Sequence, residues 1–478
     1  MNRSKILGFA IGPIGAAILG FATLPIMAWF FSVEDIGRIS MLQIVCNFAV
    51  IFFCLGLDQA YVREYHETED KPSLLKTVST PGLLLLTAVL LGFILYDPGL
   101  LSRVIFSLDS PAFSILLACC LLTTFISRFL SLILRIQEKG LAFSMSQILP
   151  KALFLFIIGI YTALAAGFSF EKLIIAHVFS MLAVMLIYAW NTRAEWLPAV
   201  GKSIDKQKLG PMLQFGLPLI FGGMASWALM AMDKLFLRSM STFEELGIYS
   251  IAASVAAAAG IFSGVFTTIW APTVYKWAAE GINPEKIDQI SEHVLAAAFF
   301  IFTLSGMFSW VLQYLLPTTY DSVQYLVTAC MAAPLLYALS ETTAVGIGIA
   351  RRTSYSMAAS FIAAAINFAG NYWLTPIYGA AGAATSTAFA FWVFLVCRTE
   401  LSCLVWRKVP RLKLYGATFT CLLAAITTPI IGKDYQAIMI STWAAISIIG
   451  ILLFKNSLST ARKEIQRIVK AKGPPQKI

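Results

Sequence analysis

The chain of 478 residues is 59% hydrophobic and only 13% charged, and its formal net charge is +10. A soluble domain carries roughly 25% charged residues, so this composition excludes a water-soluble globule. A spanning helix needs about 20 apolar residues, and the chain supplies about fourteen such runs. The sequence therefore predicts an all-α integral membrane protein with spans near 6–30, 38–62, 77–96, 112–134, 143–166, 170–190, 211–237, 246–272, 293–316, 324–350, 355–376, 380–405, 414–431 and 436–454.

Basic residues are distributed unequally between the two sides of the predicted membrane. If the N-terminus is cytoplasmic, most of the 35 Lys and Arg residues fall in cytoplasmic segments, as the positive-inside rule requires. The same orientation places the basic C-terminal tail in the cytoplasm. The net positive charge then fits a surface beside anionic lipid, and we expect no nucleic-acid partner.

A charged cluster follows the second predicted span, in residues 56–67. It contains Asp58, Arg63 and Glu64 within two helical turns. One interpretation is a helix end anchored at the membrane surface. The other is the cytoplasmic mouth of a path for a charged cargo. In that case Arg63 admits the cargo, while Asp58 and Glu64 hold Arg63 in place or hold a gate shut.

A short motif occurs twice, as SVEDIGRIS at 32–40 and TFEELGIYS at 242–250. The first residue and the acid three positions later are typical of a helix N-cap pair. The copies lie six spans apart, and an even number of spans predicts parallel repeats about an axis along the membrane normal. We therefore expect two parallel six-helix bundles around a central cavity, followed by two extra helices. The predicted divisions are a first bundle (1–195), a cytoplasmic linker (196–210), a second bundle (211–410), two additional helices (411–455) and a basic cytoplasmic tail (456–478).

Two cations fall inside predicted spans. Arg128 and Lys151 lie about 9 and 12 Å from the cytoplasmic ends of their spans, at 1.5 Å per residue. Their similar depth predicts an anion site, because intramembrane charges usually line a path or form a pair. Snorkelling of each side chain to the interface is the alternative.

Carboxylates inside or beside spans are candidates for ion coupling or gating. Glu341 lies deep in the tenth span, where it either couples transport to protons or sodium or pairs with a base from another helix. Asp233, with Lys234 and Arg238, closes the seventh span at the outer face. These three residues form either an ion-pair network that acts as a gate or a simple interface anchor.

The sequence has no pattern of an enzyme. It contains no P-loop, no HExxH and no Ser/His/Asp cluster, and it has only 3 His. We therefore expect no catalytic residues, no cofactor and no metal site. A membrane glycan polymerase, the remaining enzyme alternative, would need a sizeable outer loop, and the predicted outer loops are short.

Three segments resemble one family. They are LGLDQAYVREY at 55–65, GLPL at 216–219 followed by MDKLFL at 232–237, and NFAGNYWLTPIYGAAGAA at 367–384. Together they resemble the polysaccharide transporters, the Wzx-type O-antigen flippases of the multidrug/oligosaccharidyl-lipid/polysaccharide exporter group. Many Wzx-type members have twelve spans, whereas the lipid II flippases of the group have fourteen, so the subfamily stays open.

The resemblance implies a flippase of the bacterial inner membrane. Its cargo would be an oligosaccharide linked to undecaprenyl pyrophosphate, moved from the inner to the outer leaflet by ion-coupled alternating access. Membrane lipids and other glycan-assembly proteins are the further partners implied. The pyrophosphate would bind the cations Arg128 and Lys151, with Arg63, Lys276 and Arg351 at the cytoplasmic mouth. The alternatives are a multidrug or cation antiporter and a lipid II-type flippase.

Overall fold

The computed structural model describes residues 3–137, 139–164, 167–280 and 285–471. Within these residues the chain forms helices and no β-strand, as predicted, with short 3₁₀ turns at Ser309–Val311 and Thr318–Tyr320. The α-helices are α1 Arg3–Ala28, α2 Val33–Phe53, α3 Leu57–Glu64, α4 Lys71–Tyr96, α5 Leu100–Phe106, α6 Pro111–Ile136, α7 Gly140–Ala163, α8 Phe170–Val200, α9 Lys206–Met240, α10 Phe243–Ala279, α11 Glu285–Phe308, α12 Leu312–Leu315, α13 Val323–Thr343, α14 Val345–Ile349, α15 Thr353–Val405, α16 Leu412–Ile431, α17 Gln436–Leu453 and α18 Lys455–Ala471.

The helices are long and apolar enough for a multi-pass membrane protein. Among the described residues, 11 helices qualify as membrane spans, or 12 if the two segments of α9, bent by 45°, form one span. Each predicted span overlaps one or more of these helices. The long helix α15 contains two of them, because Gly379 has φ 53° and ψ −127° and breaks its axis. This break confirms the short turn predicted between 376 and 380.

The second predicted span, 38–62, is not one continuous helix. Helix α2 ends at Phe53, and Leu55 and Gly56 follow with φ angles of 53° and 67°. Left-handed backbone costs little for glycine but is uncommon for other residue types. The chain turns here and begins the separate short helix α3, which carries the predicted charge cluster.

The region predicted as a linker, 196–210, is mostly helical. Helix α8 continues to Val200 and α9 begins at Lys206. The end of α8 is also tied to the rest of the chain, because Glu195 accepts hydrogen bonds from the Tyr65 hydroxyl at 3.0 Å and the Gln137 amide at 2.8 Å. Only residues 201–205 separate the two helices.

The chain divides into two compact units, Met1–Ser254 and Val255–Ile478. In the first unit α1 packs against α7, α6 packs against α8, and α2 contacts both α6 and α9. In the second unit α13 packs against α15, and α17 packs closely on α11. The division falls inside α10, and the predicted bundle boundaries stay a prediction.

The two copies of the repeated motif meet in the first unit. Ser32 and Thr242 each accept a hydrogen bond from the backbone N–H three residues later, which confirms the predicted N-caps. The glycines of the motif face each other's helix. A Cβ on Gly37 would lie 2.2 Å from the carbonyl oxygen of Phe243, and a Cβ on Gly247 would lie 2.1 Å from that of Val33. The beginnings of α2 and α10 are therefore in backbone-to-backbone contact.

This contact predicts the effect of a single methyl group. Gly37→Ala should lower the melting temperature of the purified protein, because overpacking a close contact costs about 1–3 kcal/mol. The matched control is Gly92→Ala in α4, where a new Cβ would have no heavy atom within 4 Å. That variant should melt at the wild-type temperature or slightly above it, since alanine favours a helix. Equal melting temperatures for the two variants in the same detergent would contradict the contact.

Candidate functional site

A cavity of about 580 Å³ lies in the first unit between α2, α3, α6 and α9. We call it cavity A. Most of its wall is apolar, but several polar and charged side chains face it, namely Gln43, Asn47, Asp58, Gln59, Arg128 and Lys234. An apolar cleft with a few convergent polar groups is the usual form of a small-molecule binding site. Cavity A is therefore the candidate site.

An ion pair joins α6 to α3 at the wall of cavity A. The Arg128 Nη2 and Nε atoms lie 2.6 and 3.0 Å from Oδ2 of Asp58. The amide of Gln59 donates to the same oxygen at 3.0 Å. The Asp58 side chain is 10% exposed and that of Arg128 33%, so the pair is largely withdrawn from solvent. The hypothesis that Asp58 holds Arg63 is therefore wrong: its guanidinium partner is Arg128, 70 residues away.

Arg63 lies on the exposed side of α3. Its Nε is 3.8 Å from Glu64 Oε1, and its guanidinium carbon lies 4.8 Å from the centre of the Phe215 ring in α9. A cation over an aromatic face is attracted by the ring quadrupole. Arg63 and Glu64 thus lie together at the junction of α3 and α9, while Asp58 points to α6.

Two of the segments that resemble the family meet at this junction. A Cβ on Gly56 would lie 2.1 Å from the carbonyl oxygen of Gly216, and a Cβ on Gly216 would lie 2.8 Å from that of Leu55. The turn between α2 and α3 therefore rests on the backbone of α9, just before Pro218. Helix α2 is thus in close backbone contact with α9 just beyond its end and with α10 near its beginning.

The three charged residues at the end of α9 lie in different surroundings. Asp233 is buried and accepts a hydrogen bond from the Tyr249 hydroxyl. Arg238 donates to the carbonyl oxygens of Ile105 and Val104, at 3.3 and 2.9 Å. Lys234 instead lines cavity A. The sequence placed all three at the outer interface, and it missed Lys234 as a residue of the site, because spacing alone does not show which face of α9 a side chain occupies.

Lys151 faces a different cavity of about 390 Å³, enclosed by α1, α2, α6, α7 and α8. We call it cavity B. The structure thus places Arg128 and Lys151 at different cavities, and a shared anion site stays a prediction. The α2 side chains Gln43 and Asn47 line both cavities, so the two cavities adjoin. Similar depth in the membrane did not place the two cations at one cavity.

The other predicted residues lie in the second unit. Lys276 is exposed in α10, 3.7 Å from Glu280, and Arg351 is an exposed turn residue with φ 54°. Glu341 in α13 is paired with Arg398 of α15, with Nη1 2.5 Å from Oε1. This confirms the alternative in which Glu341 pairs with a base from another helix. Arg398 lies within α15, in the part predicted as the span 380–405.

Residues 4–278 match the model of a family described as polysaccharide biosynthesis protein. The chain belongs to this family. The match covers more than half of the chain and confirms the family resemblance of its sequence motifs. A comparison with curated proteins gives no significant match.

Two solved structures share the fold. The lipid II flippase MurJ in an inward closed conformation aligns with a TM-score of 0.68 at 13% identity, covering 96% of this chain and 99% of that one. An inward-facing multidrug resistance MATE family transporter of the MOP superfamily aligns with a TM-score of 0.57 at 13% identity, covering 84% and 97%. At such identities the likeness establishes the helical architecture, and function has to be argued from the site.

The Asp58–Arg128 pair should be energetically coupled. Asp58→Asn and Arg128→Gln should each destabilise the protein, because each leaves one charge of a withdrawn pair uncompensated. The double variant should lose less than the sum of the single variants, with a coupling of about 1–3 kcal/mol. Equilibrium unfolding in mixed micelles measures all three variants.

The matched control is the exposed pair of Lys202 and Asp70, with Nζ 2.8 Å from Oδ2. The hydrogen bond from Lys202 lowers the pKa of the Asp70 carboxyl, but both side chains are about half exposed and solvent screens their attraction. The cycle of Lys202→Gln and Asp70→Asn should show no coupling. A coupling as small for Asp58 and Arg128 would mean that their pair is not a structural element of cavity A.

Proposed function

We propose that the chain is a flippase for an oligosaccharide linked to undecaprenyl pyrophosphate, such as an O-antigen or capsule repeat unit. The headgroup would cross from the inner to the outer leaflet of the bacterial inner membrane by alternating access, and the polyprenyl tail would stay in lipid. Membership of the polysaccharide biosynthesis family and the fold shared with a lipid II flippase support this proposal.

The observation that carries the proposal is the charge of cavity A. Two of its lining residues, Arg128 and Lys234, are basic, and Asp58 is acidic. A pyrophosphate can enter a membrane cavity only if opposite charge offsets its desolvation. The planar guanidinium of Arg128 suits a phosphate, because it can donate two parallel hydrogen bonds. Two basic lining residues disfavour the alternative of a cation antiporter.

Asp58 would bind Arg128 in the place that a cargo phosphate takes during transport. Without substrate, its carboxylate satisfies the Arg128 guanidinium, which would otherwise be a costly unpaired charge. A phosphate that enters cavity A offers the same oxygen chemistry with more negative charge, so it can share or replace Asp58. Arg63, Lys276 and Arg351 remain proposed contacts at the cytoplasmic mouth, where they would attract the cargo.

Removing either basic residue of cavity A should impair transport. In a strain that lacks its own copy of the gene, Arg128→Ala and Lys234→Ala should each reduce surface glycan by about tenfold or more, since a lost charge contact costs well over 1.4 kcal/mol. Mass spectrometry should show the undecaprenyl-linked oligosaccharide accumulating in the same cells. Arg128→Lys, which retains the charge but not the paired donors, should give an intermediate level.

The matched control is Arg103→Ala in the short helix α5. Arg103 is also an ion-paired arginine, bonded to Asp97 and Asp109, but it is about half exposed. Surface glycan should be normal in this variant. Normal display in both cavity variants, at wild-type protein levels in the membrane, would refute the proposed headgroup site. Accumulation of a different lipid intermediate would redirect the proposal to that cargo.

Ion coupling through Glu341 is a separate proposal. The pairing with Arg398 stabilises the charged carboxylate, which fits a fixed structural ion better than a proton carrier. If Glu341 couples transport to protons, Glu341→Gln should abolish the dependence of transport on a pH gradient in proteoliposomes. If it is structural, the variant should melt at a lower temperature and keep the gradient dependence. The proposed gating roles of Asp58, Glu64 and Asp233 can be tested by measuring transport of their variants in the same proteoliposome assay.

A further inference from the structure

Cavity B contains a positive charge that the proposed headgroup site does not use. Lys151 lies near the middle of α7 and faces a space of about 390 Å³ within the first unit. The remaining polar wall is made of neutral amide and hydroxyl groups and one histidine, namely Thr23, Gln43, Asn47, Gln147, His177 and Ser180. The described wall thus combines one ammonium with many neutral hydrogen-bonding groups.

The Lys151 ammonium is held by a neutral partner. Its Nζ donates to the carbonyl oxygen of Ala16 in α1 at 2.6 Å. A Cβ on Gly20, one turn further along α1, would lie 2.5 Å from Nζ. The absence of a side chain at Gly20 therefore makes room for the ammonium against α1. A helix carbonyl can orient a cation, but it cannot neutralise one.

The helices that surround cavity B contain few carboxylates, and these are bonded elsewhere or lie at helix ends. The three helices α1, α6 and α7 contain no Asp or Glu at all. The two acids of α2, Glu34 and Asp35, lie in its first turn, and both pair with Arg38. Of the acids of α8, Glu171 lies in its first turn, and Glu195 accepts hydrogen bonds from Tyr65 and Gln137, which directly follow α3 and α6.

Arg128 provides the contrast, because it has Asp58 as a counter-charge. A charged group inside a membrane protein is normally paired or bound to an ion, since an isolated charge is costly to desolvate. In the described part of the five helices around cavity B, no carboxylate is paired with Lys151. Its charge would therefore have to be balanced by a bound anion.

We propose that cavity B is a binding site for one small inorganic monoanion, such as a halide. Lys151 supplies the charge, and neutral donors such as the amides of Asn47 and Gln147 supply hydrogen bonds. A monoanion fits better than the cargo headgroup, because one ammonium balances one negative charge while a pyrophosphate diester carries two. The proposal does not depend on the identity of the cargo.

Chloride binding to the purified full-length protein tests this directly. Equilibrium dialysis with ³⁶Cl⁻, with gluconate keeping the ionic strength constant, should give saturable binding of about one chloride per chain in the wild type, since one ammonium balances one monoanion. Lys151→Gln should weaken binding by about tenfold or more, as expected for the loss of one charge contact. Lys151→Arg, which keeps the charge, should retain binding.

Two further variants distinguish a specific chloride site from a general effect of protein charge on chloride binding. Gly20→Ala keeps the ammonium but displaces it, so chloride binding should weaken although no charge is lost. Lys172→Gln removes an exposed lysine of α8 whose Nζ also bonds a backbone carbonyl, that of Gly167 at 2.8 Å, and should bind chloride as the wild type does. If Lys151→Gln does not fold, Gly20→Ala becomes the deciding test. Chloride binding as strong as in the wild type would then overturn the proposal.

Competition identifies the class of anion. Bromide should displace ³⁶Cl⁻ at concentrations similar to those of unlabelled chloride, whereas inorganic pyrophosphate should compete no better than its contribution to ionic strength. Displacement by pyrophosphate at lower concentrations than bromide would assign cavity B to the cargo headgroup and overturn the monoanion proposal. Absence of saturable chloride binding in the wild type, or unchanged binding in Lys151→Gln, would do the same.

Discussion

Helix α2 is fixed at both ends by contacts in which one backbone touches another. At its beginning, Gly37 lies against Phe243 and Gly247 of α10, and just beyond its end Gly56 lies against Gly216 of α9. No side chain fits at either contact, so the distance between the helices there is set by backbone atoms alone. Between these two points the helices diverge enough to leave cavity A. The space that we assign to the cargo headgroup lies along α2 between these two contacts.

The turn at Leu55–Gly56 then determines the electrostatics of that space. Two consecutive left-handed residues end α2 and start α3 in a new direction, and Asp58, in the first turn of α3, meets Arg128 of α6. A withdrawn ion pair is a poor source of stability, because the desolvation of two charges can exceed their attraction. Its presence at the wall of the cavity is better explained by function. Asp58 supplies the counter-charge of Arg128 at the wall of cavity A.

The sequence could predict the helices and the repeat, because both are encoded locally. Runs of apolar residues define spans, and the match between 32–40 and 242–250 identifies corresponding helices. It could not predict that Asp58 pairs with Arg128, because local spacing suggests only the nearby Arg63. Leu55 is no signal for a left-handed turn either, since leucine rarely adopts one. Lys234 was missed for a related reason: whether a residue at the end of a span faces lipid, water or a cavity depends on which helices pack beside it.

Helix α2 also contributes to both cavities, because Gln43 and Asn47 line each of them. A displacement of α2 that changes the shape of one cavity therefore changes the other. An anion bound in cavity B would favour the position of α2 in which these amides face Lys151. Linkage is reciprocal, so any cargo in cavity A that prefers a different position of α2 would weaken the anion, and the anion would weaken that cargo by the same factor. The glycine contacts at the ends of α2 add to the same balance, since they hold only while α2 stays against α9 and α10. A change in the position of α2 would therefore affect both cavities and both glycine contacts.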